Sequence, residues 1–183
     1  MSDILIDNPT VRKLIKQLGL PLPLPQKLAR DKNPWAERPL QNETVVYAGP
    51  KGTLAKHVAD VLCKCGADTY VDPESRPVFG KSAEAWGRRT GVLDNAPENL
   101  KPHALVFDGT GIKTPSELRE VYDFFHPRIR SLKKCGRLIV LARPADMCKD
   151  AASAAAAQAL EGFVRSAGRE IGRKGATANL VNV

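Results

Sequence analysis

Between residues 44 and 183, short apolar runs of strand length alternate with amphipathic stretches of helical length, which leaves few folds open to the chain. Thr44-Val45-Val46-Tyr47-Ala48 has the near-continuous β-branched and apolar character of a strand buried on both faces. Residues 53–65 follow as a helix, with Leu54, Val58, Val61 and Leu62 on one face and Gly66 as its stop. Residues 67–71 read as a second strand. Residues 73–102 are rich in proline, glycine, asparagine and charge, and predict one short helix near 82–89 and no strand. Ala104-Leu105-Val106-Phe107-Asp108 is a third strand. Thr114-Pro115-Ser116-Glu117 combines an N-cap hydroxyl with proline in the first turn, which predicts a helix over 114–134, kinked or broken at Pro127. A fourth strand at 137–142, a long alanine-rich helix over 150–173 and a fifth strand at 177–183 complete the series. This β-α-β order predicts a parallel sheet with helices on both faces and right-handed crossovers.

The first 42 residues differ. Val11, Leu14, Ile15 and Leu18 form one face of a short helix, and Leu20-Pro21-Leu22-Pro23-Leu24-Pro25 follows as an extended, polyproline-like path. The repeated leucines favour a strap laid over the domain; a ligand for a proline-binding module is the other reading. A polar linker over 31–39 leads to a second unit, residues 43–183. No run approaches the ~20 apolar residues of a membrane span, and the chain opens without a basic, then apolar, leader. The expectation is a cytoplasmic protein with reduced thiols at Cys63, Cys65, Cys135 and Cys148 and no metal site. The charge is +8, from 28 Lys+Arg against 20 Asp+Glu. Basic residues without interleaved aromatics make nucleic acid an unexpected partner. The run Arg128, Arg130, Lys133, Lys134 and Arg137 reads as a solvated face or as a surface for an acidic partner. Phe124 and Phe125 read as core, and His126 as packed or partly exposed.

Two glycine turns follow strands. Ala48-Gly49-Pro50-Lys51-Gly52-Thr53 stands where dinucleotide folds hold a pyrophosphate, but its glycines are spaced G-x-x-G and Pro50 lacks a donor. A tight strand-to-helix turn is the favoured reading. Asp72 ends the second strand about 20 residues on, the place of a ribose-binding acid. Asp108-Gly109-Thr110-Gly111-Ile112 is the second turn.

That turn, with Gly136-Arg137-Leu138-Ile139-Val140, Gly162-Phe163-Val164-Arg165-Ser166, Glu170 and Gly175-Ala176-Thr177-Ala178-Asn179, resembles in order and spacing the short-chain dehydrogenase/reductase family, especially its 3-oxoacyl-(acyl-carrier-protein) reductases. The resemblance spans residues 44–183 and implies Gly49, Gly52, Asp72, Gly109 and Gly111 as vestigial cofactor contacts. Its catalytic Tyr and Lys positions fall at Ser153 and Ala157, and Leu141-Ala142-Arg143 offers no catalytic serine. Serine is a far weaker acid than a phenol and alanine bears no charge. A stray Tyr-x-x-x-Lys, Tyr47 with Lys51, crosses the strand-turn junction and reads as chance.

With the family's third strand absent from residues 73–102, the resemblance implies a Rossmann-like, flavodoxin-like three-layer domain with a five-stranded parallel sheet of order 2-1-3-4-5. Leu14-Ile15-Lys16-Gln17-Leu18-Gly19-Leu20-Pro21 and Phe124-Phe125-His126-Pro127 further resemble the N-terminal, degenerate domain of the high-molecular-weight 3-oxoacyl reductases. On that resemblance the chain is a non-catalytic segment that ends before its last strand and binds no cofactor tightly. An NAD(P)H-dependent ketoreductase domain would lie downstream. Its role would be structural, dimerising or carrier-docking, with helices 114–134 and 150–173 meeting that domain or a second copy. The run Ala151, Ala152, Ala154, Ala155, Ala156 and Ala157 would permit close helix approach. The alternative is an NAD(P)H-dependent oxidoreductase active in its own right.

Overall fold

The computed structural model describes residues 8–19, 24, 26–30 and 34–183. Helix α1 (Pro9–Gln17) starts at Asn8, whose side chain accepts a hydrogen bond from the Thr10 amide at 2.9 Å. The proline strap over 20–25 lies outside the described residues apart from half-buried Leu24. Just beyond it, the Gln26 amide donates to the Arg173 carbonyl at 3.0 Å and the Cys135 thiol to the Lys27 carbonyl at 3.4 Å. This part of the segment therefore lies against the domain. Trp35 in the linker is 88% exposed.

The main unit runs β1 (Thr44–Ala48), α2 (Ala55–Lys64), β2 (Asp68–Val71), α3 (Arg76–Ala85), β3 (Thr90–Val92), β4 (Ala104–Asp108), α4 (Arg119–Phe125), β5 (Arg137–Ala142), α5 (Ala151–Ile171) and β6 (Thr177–Asn182). All strands pair in parallel, in the order β3-β2-β1-β4-β5-β6. The Rossmann-like α/β class holds, but the five-stranded, flavodoxin-like order does not. Thr90-Gly91-Val92 supplies the strand thought missing and pairs with Thr69, Tyr70 and Val71 at the sheet edge. Three half-buried residues with glycine at their centre leave almost no strand signal, so only the exposed edge of β2 defines them. The helix expected near 82–89 lies earlier, at α3, with Pro77 in its first turn. The helix expected over 114–134 is broken into a 3-10 turn (Pro115–Leu118), α4 and a second turn (Ile129–Ser131). Pro127 cannot donate to a continuing helix.

Alternate strand residues feed two cores. Val45, Tyr47, Ala104 and Val106 face α2 and α3, where the Tyr47 and Phe79 rings stand 4.7 Å apart. Val46, Leu105, Phe107, Leu138 and Val140 face α4 and α5. There Phe107 meets Phe124 at 5.5 Å and Phe125 at 6.0 Å, and Phe125 meets Phe163 at 4.8 Å. The buried face of α5, Ala156, Ala157, Leu160, Val164, Ala167 and Ile171, keeps helical spacing to the end of this 21-residue helix. Its start is fixed by Asp150, which accepts from the Ser153 amide at 2.8 Å. Among the described residues no helix is long and apolar enough to cross a membrane. The four cysteines are free, and burial pushes the Cys63 thiol up to about 11.

Phe107 is 1% exposed and central to the larger core. Phe107→Ala is expected to lower unfolding free energy by about 3–5 kcal/mol in chemical denaturation, whereas Trp35→Ala changes it by less than about 0.5 kcal/mol.

Candidate functional site

β1 and β4 are adjacent and parallel, so their carboxyl ends deliver the Gly49–Leu54 turn and the Asp108–Gly111 turn side by side. A dinucleotide fold would seat a pyrophosphate here, on the free amides at the start of α2. In this chain the two amides that lead into the helix, those of Thr53 and Leu54, are already used. Leu54 N–H donates to Asp108 Oδ2 at 2.8 Å, and Thr53 N–H to Thr110 Oγ1 at 3.0 Å. Asp108 also accepts from the Thr110 amide at 3.1 Å, the Thr110 hydroxyl at 2.5 Å and the Tyr47 hydroxyl at 3.4 Å. It is 2% exposed. A buried carboxylate needs such donors, since an unpaired one would cost several kcal/mol.

Asp72 is likewise turned inward. It accepts from the Gly49 amide at 2.9 Å and from the Ser75 amide and hydroxyl at 2.7 and 3.1 Å. It thereby ties the end of β1 to the start of α3. The Gly52 amide closes its own turn on the Gly49 carbonyl at 2.8 Å.

The glycines sit against protein atoms. A Cβ on Gly52 would collide with the Asp108 carboxylate, and one on Gly111 with the Lys51 carbonyl. On Gly49 it would lie 2.6 Å from Asp108 Cβ, and on Gly109 2.9 Å from Leu160 Cδ1. The structure thus gathers Gly49, Gly52, Asp72, Gly109 and Gly111 at one end of the sheet. The amides of Gly49, Gly52 and Gly109, the Asp72 carboxylate and the space beside the glycines are taken up by the chain itself, so these residues do not fit a bound dinucleotide. Asp108 and Thr110 organise this place, although sequence reasoning registered only the glycines beside them. The available signal was an acid closing a fully apolar strand, next to helix amides that need an acceptor.

Tyr47 and Lys51 are separate. Tyr47 is wholly buried, and burial with the nearby Asp108 and Asp72 raises its hydroxyl far above the range in which a phenol can give up a proton. Lys51 lies on the surface, 2.9 Å from Glu117 and 3.1 Å from Glu120. Glu117 also accepts from the amides of Lys113 at 2.7 Å and Thr114 at 3.1 Å. The Lys113 amide above all, with the Lys51 ammonium, holds its carboxyl at about 2.

Ser153 and Ala157 line a cleft of about 230 Å³ at the carboxyl ends of β4 and β5, together with Gly109 and Thr110. The Ser153 hydroxyl donates to the Asp150 carbonyl at 3.0 Å. Among the described residues no tyrosine lines this cleft and no group of histidine, cysteine and carboxylate side chains could hold a metal ion.

Among solved structures, a short-chain dehydrogenase/reductase from Serratia marcescens superposes with a TM-score of 0.62 at 17% identity, covering 79% of this chain and 74% of that one. The chain has the fold of the short-chain dehydrogenase/reductases. A dehydrogenase/reductase from Sinorhizobium meliloti gives a TM-score of 0.59 at 19% identity, with 80% and 73% covered. BdcA in complex with NADPH gives 0.54 at 20%, with 78% and 70% covered. No family model and no curated protein sequence matches the chain.

Two outcomes follow for the clamp at the turn. Asp108→Ala is expected to destabilise the domain by about 3 kcal/mol, read by thermal or urea unfolding, because it strands donors in a buried place. Glu117, lowered in the folded state, adds stability above its ordinary value of 4.5 and loses it as pH falls through about 2. A carboxyl-detected NMR titration should find its midpoint near about 2 and should find it raised in Lys51→Met.

Proposed function

We propose that this chain is the non-catalytic N-terminal domain of an NAD(P)H-dependent 3-oxoacyl-(acyl-carrier-protein) or CoA reductase, a cytoplasmic protein of fatty-acid metabolism. The observation that supports it most is the occupation of the Thr53 and Leu54 amides by Thr110 and Asp108. A negative carboxylate of the chain stands where a pyrophosphate would need the same donors. The residues at the family's acid and base positions, Ser153 and Ala157, add to this, since serine is a far weaker acid than a phenol and alanine bears no charge. The NADPH of BdcA belongs to a neighbour; here the cofactor would be held by the downstream reductase domain, not by this one.

The role proposed is structural and dimerising. An apolar groove of about 600 Å³ runs between α4 and α5, lined by Tyr122, Phe125, Ala159 and Phe163 among others. Tyr122 is 53% exposed. The alanine run contributes less than its composition implies: Ala156 and Ala157 face the chain's own core, while Ala151, Ala152 and Ala155 point outward before the groove begins. The basic run is also partly committed. Arg128 donates to the Phe124 carbonyl at 2.8 Å, Lys133 pairs with Glu43 at 2.5 Å, and Arg137 donates to the Cys135 carbonyl at 2.5 Å. A carrier protein would find Arg130 and Lys134 exposed on this side.

Titration of the chain with NADPH and NADH, followed by fluorescence, is expected to show no saturation, and acetoacetyl-thioester reduction no turnover. Saturable binding with turnover would establish the alternative, an oxidoreductase active by itself. For the groove, Ala159→Glu is expected to weaken self-association, or association with the reductase domain, in sedimentation; unchanged association would remove that role.

A further inference from the structure

The cleft beside Ser153 has a feature that the proposed function does not use. Lys113, Arg143 and Lys149 all line it, and among the described residues no side-chain hydrogen bond or ion pair engages any of the three. The one carboxylate among its lining residues, Asp150, is bonded to the Ser153 amide at 2.8 Å. Three cations against one carboxylate leave an excess of two positive charges around a single small cavity. Like charges held together at one concave place repel one another, and an anion entering between them relieves that repulsion. Ile112, Met147, Ala157 and Leu160 form an apolar part of the lining, beside the hydroxyls of Thr110 and Ser153 and the Cys148 thiol. At about 230 Å³ the cavity falls below the ~300–1,000 Å³ of drug-sized ligand sites, so its occupant is compact. It opens outside the carboxyl ends of β4 and β5, where open parallel sheets take their ligands.

We infer that this cleft binds a compact dianion, a phosphate monoester with a short carbon stem, between Lys113, Arg143 and Lys149. The excess of two charges matches a phosphate monoester dianion. The apolar floor suits a stem of a few carbons and leaves no room for a dinucleotide. The inference does not rest on the proposed reductase context: the cleft is built from this chain alone, and dinucleotide titration tests that context separately.

Glycerol 3-phosphate is a suitable probe, followed by amide chemical shifts in the full chain. Saturable shifts are expected at 109–113 and 143–153, absent with glycerol or with sodium chloride of matched ionic strength. Arg143→Gln with Lys149→Gln should weaken binding by roughly tenfold or more. Both side chains are exposed, and an unchanged amide spectrum elsewhere would show that the fold is intact. Cys148, half-buried in the same lining, supplies a second readout. Its alkylation by iodoacetamide, read by mass spectrometry, should slow in glycerol 3-phosphate while that of Cys135 does not. Shifts that follow ionic strength alone, equal affinity in the double variant, or unprotected Cys148 would each overturn the inference.

Discussion

The Asp108 carboxylate sits at the carboxyl end of β4, out of water, and the surrounding turns are arranged to supply it with donors. The Leu54 amide, the Thr110 amide and hydroxyl and the Tyr47 hydroxyl all point at it. Through Leu54 it holds the start of α2; through Tyr47 it reaches the neighbouring strand; through Thr110 it shapes its own turn. Gly52 has no room for a side chain because this carboxylate lies there. With Asp72 tying Gly49 to Ser75, two acids close the end of the sheet on themselves.

That closure has a functional consequence. Helix N-termini attract anions because their first amides lack intrahelical partners. A fold that seats a phosphate leaves the amides around such a start open; this one gives the Thr53 and Leu54 amides, which lead into α2, to its own side chains. The end of the sheet is thereby divided. The β1–α2 corner is filled and mutually neutralised. A few residues away, at the β5–α5 corner, three cations line one cleft and have no acid partner among the described residues. The attraction for anions has shifted along the sheet from the backbone amides of one corner to the side chains of the next.

Much of the fold was legible. The five stronger strands, the long helix and the break near Pro127 follow from apolar periodicity, a run of alanines and a residue without an amide proton. What escaped was β3, whose three residues have little pattern of their own and become a strand only beside β2. The start of α3 was also displaced, because Pro77 reads as a breaker until it is seen in a first turn, where no hydrogen bond is lost. At the candidate site, the glycine turns and Asp72 were identifiable from their places after strands, and Ser153 and Ala157 only through the family resemblance. Asp108 was passed over as the last residue of a strand, since its partners lie 54 and 61 residues away in sequence.

The sequence by itself determined the parallel α/β class, through alternating strand and helix periods, and that the long helix opens with serine and alanines and carries no tyrosine or lysine. Only the tertiary structure decided the sheet order 3-2-1-4-5-6, because edge pairing depends on a neighbour and not on local pattern. It alone decided that the glycine turn is filled and not open, because that depends on which side chain a distant strand brings to the helix amides. It also brought Lys113, Arg143 and Lys149 to one cavity, an electrostatic grouping that spacing along the chain does not encode.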